Sequence, residues 1–334
     1  MAEWFAIVVI SLAPALAGVA LVLWLAPSLG LVDHPNERSL HQKPVPRGGG
    51  LGVLGGIACG WLAAALTGYE LPRAGWLLAG LAILALVSLL DDRYGLAPGW
   101  RFASHFVAAV LVLAAGLGLA VLAMPGAVLA LPAWLGVLLT LLGVGWCINL
   151  YNFMDGMDGL AAGMAMIGFA ALAVLGLLSG DMEFALAALA VSAAAGGFLC
   201  FNLPPARIFL GDVGSVPLGF LMAVFLLWLE ADGIAPLWLG LLIFAPFALD
   251  ATVTLLRRLW RREAVWQAHR SHYYQRAALA TGSQRRVLLI SYGLMMGCAL
   301  SAVLIYQAPA AVQWSALVCW ALVFGFCAWR IDFT

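Results

Sequence analysis

The chain has 334 residues, 65% of them hydrophobic and 10% charged, with a mean hydropathy of +1.04 and a net charge of zero. That composition excludes an ordinary soluble domain, and the charge balance gives no reason to expect a nucleic-acid partner. An apolar run of about 18–25 residues can cross a bilayer as a helix. Eleven such runs follow one another, at roughly 3–27, 47–68, 74–90, 102–123, 132–150, 158–179, 183–201, 213–230, 235–256, 287–306 and 312–329. The third is short, so ten spans are the alternative count. The first is too long for a signal-peptide core and has no basic residues before it, so it reads as a retained helix. The predicted fold is an all-α polytopic membrane protein, with residues 1–334 forming one integral-membrane domain without repeats.

Lysine and arginine orient the runs. With the N-terminus outside, the inner connections hold Arg38, Lys43, Arg47, Arg93, Arg101, Arg207, the arginines from Arg257 to Arg286, and Arg330. Of the 16 basic residues, only Arg73 falls outside. The positive-inside bias therefore predicts an outer N-terminus, an inner C-terminus and a cytoplasmic working face in the plasma (inner) membrane. Asp33, Asp91, Asp92, Asp155, Asp158, Asp212 and Asp250 map at or near that face. Glu3, Glu70, Asp181, Glu183, Glu230 and Asp232 fall in outer segments that carry no recognisable motif. Ionisable groups near a bilayer are expensive, so their gathering on one side points to chemistry there. The six cysteines lie in apolar runs without a CxxC pair and read as buried thiols.

The first inner segment is LVDHPNERSLHQKPVPRGGGLGVLGG. Pro35, Pro44 and Pro46 interrupt any helix there, and Gly48, Gly49 and Gly50 let the chain meet the next span closely. Lys43 and Arg47 suit phosphate, as a point charge and a planar fork. Topology and anionic headgroups account for them as well, and Asp33 reads equally as a turn or cap residue. Asp91 and Asp92 close the third run in SLLDDRYG. Adjacent carboxylates suit Mg2+, which keeps several waters and takes one or two carboxylates plus substrate phosphates. A plain acidic helix end is the alternative, although a carboxylate there opposes the helix dipole. Gly95 departs from the DDxxD pattern of soluble prenyltransferases.

Asn149, Asn152, Asp155 and Asp158 follow at intervals of three, and Gly156 and Gly159 signal a break among them. They offer acceptors to a metal, ribose hydroxyls or a base edge, and the asparagines add donors. Helix capping would explain one of them but not all four. In NLPPARIFLGDVGS, Pro204–Pro205 makes an ordered bend, and Asp212 reads as a site carboxylate, as the N-cap of the eighth helix, or as both. Asn202 and Arg207 are near enough in sequence to join it. The longest inner loop, RRLWRREAVWQAHRSHYYQRAALATGSQRR, is basic enough for a lipid-surface patch. Within it His269, Arg270 and His272 add donors suited to phosphate oxygens or proton transfer.

Five pieces, HPNERSLHQKPVPRGGG, LDDRYG, NLYNFMDGMDGLAAG, NLPPARIFLGDVGS and AHRSHYYQRA, together resemble the polyprenyl-phosphate N-acetyl-hexosamine-1-phosphate transferases (glycosyltransferase family 4). The resemblance runs from Asp33 to Arg276. It implies Mg2+, with Mn2+ as a substitute, and two substrates: a UDP-N-acetylhexosamine and polyprenyl (undecaprenyl) phosphate. The products would be polyprenyl-diphosphate-sugar and UMP. By position, Asp91 and Asp92 look like the family's acidic pair, and Asp212 looks like its metal-binding aspartate. The implied catalytic set is Asp91, Asp92, Asp212, His269 and His272, with metal ligands from Asp91, Asp92, Asn152 and Asp212. Lys43, Asn149, Asn152, Asp155, Asp158, Asn202 and Arg270 would bind substrate, and a homodimer is compatible with all of this.

The peptidoglycan-initiating branch carries a triple-histidine cluster where this chain reads HRSHYY, which disfavours UDP-MurNAc-pentapeptide. HRSH followed by YQR looks more like the branch that starts lipopolysaccharide O-antigen chains. That likeness implies UDP-N-acetylated hexosamines or their 6-deoxy forms, N-acetylfucosamine, N-acetylquinovosamine and N-acetylglucosamine among them. In such a reaction the protein supplies mainly positioning and charge stabilisation. Two unit charges about 4 Å apart repel by roughly 4 kcal/mol at an effective dielectric near 20, and metal and basic side chains must offset that. Base catalysis by Asp91 and a covalent aspartyl intermediate are the mechanistic alternatives. An ion-coupled transporter is the competing class, but its site would lie near the midplane on broken helices, often within repeats.

Overall fold

The computed structural model describes residues 2–35, 43–69, 73–263 and 269–333. The NERSLHQ part of the first motif, with Arg38, and also Glu70 lie outside the described residues. The helices are α1 (Ala2–Leu29), α2 (Gly50–Leu66), α3 (Ala74–Tyr94), α4 (Pro98–Ala114), α5 (Ala133–Phe153), α6 (Leu160–Ser179) and α7 (Met182–Asn202). They continue as α8 (Asp212–Ala231), α9 (Leu237–Ile243), α10 (Ala245–Trp260), α11 (Tyr273–Thr281), α12 (Gln284–Ile305) and α13 (Ala310–Asp332). Two antiparallel ribbons complete the chain: β1 (Val32–Asp33) with β2 (Val45–Pro46), and β3 (Val121–Met124) with β4 (Ala127–Ala130).

Among the described residues, eight helices are long and apolar enough to cross a membrane: α1, α3, α5–α8, α12 and α13. The bent pair α9–α10 makes nine if it counts as one span. This is a multi-pass membrane protein. Each of the eleven apolar runs contains a helix, but not all become full-length spans. The 17 residues each of α2 and α4 sit at the short end of what crosses about 30 Å of hydrocarbon.

Two runs differ in kind from their prediction. The run 102–123 stays helical only to Ala114, where Gly116 turns the chain at φ 78°. The rest pairs as β3–β4 around Pro125–Gly126, tied to α5 by the Leu119 amide donating to Thr140 Oγ1 at 2.9 Å. The run 235–256 bends by 85° at Phe244. Pro246, in the first turn of α10, lacks the amide that would continue the ladder of α9. Also, Asp212 does not cap α8: it is the first helical residue, the cap position belongs to Gly211 at φ 74°, and no side chain caps that end.

The core is α6, α7 and α8, whose apolar stretches are 78%, 72% and 89% buried. The alanine-rich α7 packs against α1, α2 and α6. Small residues at such crossings bring backbones together, which is how helices associate where lipid is as apolar as leucine. Gly50 marks a close approach of two helix backbones: a Cβ there would sit 2.2 Å from Gly214 Cα. It seats the start of α2 on the first turn of α8. Helix α3 lies antiparallel to α8, and beyond their other ends Arg73 forks onto Asp232 at 2.6 and 2.7 Å. Trp228 Nε1 donates to the same carboxylate at 2.7 Å, and its ring lies 5.5 Å below the Arg73 guanidinium.

The Gly50 contact yields a stability test. Gly50→Ala forces α2 away from α8 and should destabilise by about 1–3 kcal/mol, the usual penalty for overpacking. Gly55→Ala, which meets nothing within 4 Å, should leave the melting temperature in detergent nearly unchanged.

Candidate functional site

The end of α3 and the start of α8 bring three carboxylates to one end of the bundle. Asp91 ends up 12% exposed at the side chain and Asp92 8%. Asp91 Oδ1 accepts from the Leu96 amide at 2.8 Å across the αL turn at Gly95. Arg101, in the first turn of α4, reaches Asp91 Oδ2 with one nitrogen and Asp212 Oδ2 with another, both at 3.3 Å. Arg47 pairs with Asp92 Oδ1 at 3.2 Å and donates to the Asp92 backbone carbonyl as well. The segment around Arg47 is held by backbone pairing with the strand before Asp212. The Phe209 amide donates to Pro46 at 2.8 Å, and the Gly49 and Gly50 amides donate to Phe209 and Leu210 at 3.0 and 2.9 Å. Gly211 keeps the space before Asp92 open, since a Cβ there would lie 3.3 Å from Asp92 Oδ2.

The polar residues spaced by three do not share one job. Asn152 faces the cluster, its Oδ1 accepting from Ser215 on α8 at 2.9 Å. Asp155 lies in the loop after α5. Burial, and then the charges of Asp212, Asp92 and Asp158, push its carboxyl well above the ordinary range. Asn149 turns aside, donating to Gly145 at 2.7 Å with His105 Nδ1 at 3.5 Å. Asp158 Oδ2 accepts from the Ala206 amide at 2.9 Å. Asn202 is buried, accepting from the Gly159 amide at 2.8 Å and donating to the Ile208 carbonyl at 2.9 Å. Asp158 and Asn202 thus clasp the two loops that carry Asp155 and Asp212. Lys43 is exposed two residues before β2.

The histidine segment joins the same end. Asp250, on α10, accepts from the Tyr273 and Tyr274 amides at 3.0 Å each and from His272 Nδ1 at 3.2 Å. A proton on Nδ1 leaves the lone pair of neutral His272 on Nε2. His269 Nδ1 instead accepts from the Ser271 amide at 3.2 Å, so neutral His269 carries its proton on Nε2 as a donor. The two rings are 4.9 Å apart, with Arg270 between them in the chain and half-buried. His272 packs on Phe153 at 6.1 Å, and Tyr274 donates to the Phe153 carbonyl at 3.1 Å. The loop is thereby placed against the Asn152–Asp158 segment.

Comparison with known proteins bears on this arrangement. A glycosyl transferase family 4 model matches residues 75–230, from α3 through α8. A probable undecaprenyl-phosphate N-acetylglucosaminyl 1-phosphate transferase of Bacillus subtilis is 30% identical over 303 residues, covering 90% of this chain and 84% of the relative. The chain belongs to the polyprenyl-phosphate N-acetylhexosamine-1-phosphate transferase family. A decaprenyl-phosphate N-acetylglucosaminephosphotransferase of Mycobacterium tuberculosis is 32% identical over 308 residues, 81% of this chain and 74% of the relative. The undecaprenyl-phosphate alpha-N-acetylglucosaminyl 1-phosphate transferase of Escherichia coli K12 is 28% identical over 328 residues, 92% and 86%. These likenesses mark the family and do not single out a branch within it.

The donor set of the transferase fits a hard divalent cation. Asp92 Oδ2 is buried without a hydrogen-bond partner, and like charges crowd around Asp155. Among the described residues no three His, Cys, Asp or Glu side chains form a closed metal cage. An ion held by one or two carboxylates, with waters and substrate phosphates making up the rest, does not require such a cage. Three residues of the transferase's site escaped the sequence reading: Asp250 and Arg101, used there only for topology, and Ser215. The signal for Asp250 was a carboxylate inside an apolar run, which by default needs a partner.

Burial, then His272 and Arg258, hold the His269 imidazole down from 6.5 to about 4. The native loop is therefore fully favoured above pH 6.5 and loses support as pH falls toward 4. Protection of the 269–275 amides against hydrogen exchange, taken relative to their intrinsic rates at each pH, should fall across that window, and His269→Gln should reduce the fall.

Proposed function

We propose that the protein transfers an N-acetylhexosamine 1-phosphate from a UDP-sugar to polyprenyl phosphate, the first membrane step of a glycan pathway. A lipid-phosphate oxygen attacks the sugar-bearing phosphorus, a new P–O–P bond forms, and the bond from that phosphorus to the UMP oxygen breaks. The observation that carries the reading is the meeting of Asp91, Asp92 and Asp212 with Arg47 and Arg101 at one end of a membrane bundle, in a chain of this family. Anionic reactants need charge neutralisation and alignment there more than covalent help.

One or two carboxylates from Asp91, Asp92 and Asp212, with Asn152 beside them, would hold Mg2+, which supplies charge neutralisation at the phosphates when bound. Arg47 and Arg101 lie within reach of the same oxygens and hold phosphate charge once the acids are otherwise engaged. His269 offers its Nε2–H to the donor diphosphate, with Arg270 as a fork and His272 oriented by Asp250. Asp155 and Lys43 would meet the nucleotide, Asn149 turns aside to Gly145, and Asp158 and Asn202 brace the loops before α6 and α8. Asp91 is the candidate base, although both its oxygens are engaged, by the Leu96 amide and Arg101, and a lipid phosphate with a second pKa near 6 is largely dianionic at neutral pH.

The relatives named above all carry N-acetylglucosamine in their names, which makes UDP-N-acetylglucosamine the first donor to try. The HRSH segment favours the O-antigen-initiating branch and keeps 6-deoxy N-acetylhexosamines in the panel. The concentration of arginines at this end favours a cytoplasmic site in the plasma membrane.

Purified protein given undecaprenyl phosphate and a panel of UDP-sugars should release UMP with one of them and form a lipid of matching mass. Asp212→Asn should lower turnover on the order of a hundredfold and weaken the response to Mg2+, since an amide cannot replace the charge. Full activity at limiting Mg2+ would remove Asp212 from the site. In a cysteine-free background, cysteines at Gly95 and Gly282 should label only from the cytoplasm and one at Gly233 only from outside. The opposite pattern would overturn the orientation.

A further inference from the structure

We infer that Asp332, at the end of α13, is a positioning residue for the histidine segment, acting through a latch of two arginines and one tyrosine. The inference rests on the reading in which His269 and His272 meet the donor diphosphate. Arg257 of α10 and Arg276 of α11 both pair with the Asp332 carboxylate, each at 2.6 Å. Arg276 also donates to the Ile331 carbonyl at 3.0 Å. The same two guanidiniums lie against the Tyr273 ring, at 5.3 and 5.5 Å from its centre. One carboxylate and one ring therefore bind together the ends of three helices.

The position of the latch gives it leverage. Tyr273 follows His272 directly, and its amide is one of those received by Asp250. The far side of His272 is thus fixed by the tyrosine that the arginines enclose. Helix α13 has no buried residue and lies on the outer flank of the bundle, chiefly against α11 and α12, with Trp314 donating to the Pro125 carbonyl at 3.1 Å. Packing does not explain a doubly paired acid at its end. A single exposed ion pair contributes little, but several charges in a network around one carboxylate are the case where such pairs count. Without Asp332 the two guanidiniums keep their shared ring and lose their counter-charge. They then repel beside the residue that orients His272.

The test uses the full chain with UDP-N-acetylglucosamine and undecaprenyl phosphate, read as UMP release, together with hydrogen exchange of the amides of 271–275. Asp332→Asn should lower kcat/KM for the donor on the order of tenfold, the scale of a small misplacement of reacting groups. It should also raise exchange at Tyr273 and Tyr274, with α6–α8 unchanged. Asp332→Glu should recover most of both. Arg276→Gln combined with Asp332→Asn should be no worse than the weaker single variant, because both break one device. Unchanged exchange with kinetics within twofold of wild type would overturn the latch, as would a uniform rise in exchange across α6–α8. If the wild type releases no UMP from any donor, the transferase reading fails instead, and the exchange measurement still decides whether Asp332 holds the loop.

Discussion

The structure turns on carboxylates that are crowded together at the edge of a membrane. Asp91 and Asp212 share one guanidinium, Asp92 takes a second, and Asp155 is strained by the charges of its neighbours. Carboxylates held this close repel strongly in a site shielded from water. A bundle selected only for stability would replace them with apolar residues, which is often neutral or stabilising at a buried ion pair. Their retention makes sense where a cation and phosphates arrive and the arginines change partner, from carboxylate to substrate.

The fold answers that repulsion with close backbone contacts. The acids lie on α3 and α8, whose other ends are pinned by the Arg73–Asp232 fork, and α8 is the most buried of the spans. Gly50 against Gly214 places the Arg47 segment beside Asp212, and Asn202 and Asp158 tie the two acid-bearing loops by their own backbone groups. A repulsive cluster pushes outward on whatever carries it. Here the carriers are helix ends that cannot separate without opening the core.

Much of this was legible in the sequence, and the remainder was hidden for physical reasons. Every apolar run contains a helix because hydropathy reports burial in lipid, and the paired aspartates stood out against it. Hydropathy could not show the β3–β4 ribbon, since VLAMPGAVLA is as apolar as the span before it, nor the turn at Gly116 that separates them. The bend at Phe244 lay in a run whose one local clue was Pro246. Within the site, Asn202 and Asp158 looked like ligands because their partners are backbone groups at Gly159, Ile208 and Ala206, which no side-chain pattern announces. Arg101 was visible as a charge, but its bridge between Asp91 and Asp212 depends on α4 folding back along α3.

The two halves of the site are built to different tolerances. The carboxylates ride on the ends of α3 and α8, the latter the most buried of the spans, whereas the histidines ride on a short segment held by Asp250 and by polar contacts with its neighbours. Rigid carriers suit groups that must meet a small ion and two phosphates at fixed distances, where misplacement is costly. A segment secured by exchangeable hydrogen bonds and ion pairs suits groups that follow a larger, variable donor. The loop is also where this chain departs from the triple-histidine pattern. Under the proposed function, substitution in this loop would change the groups offered to the sugar nucleotide, while the acid cluster on α3 and α8 stays in place.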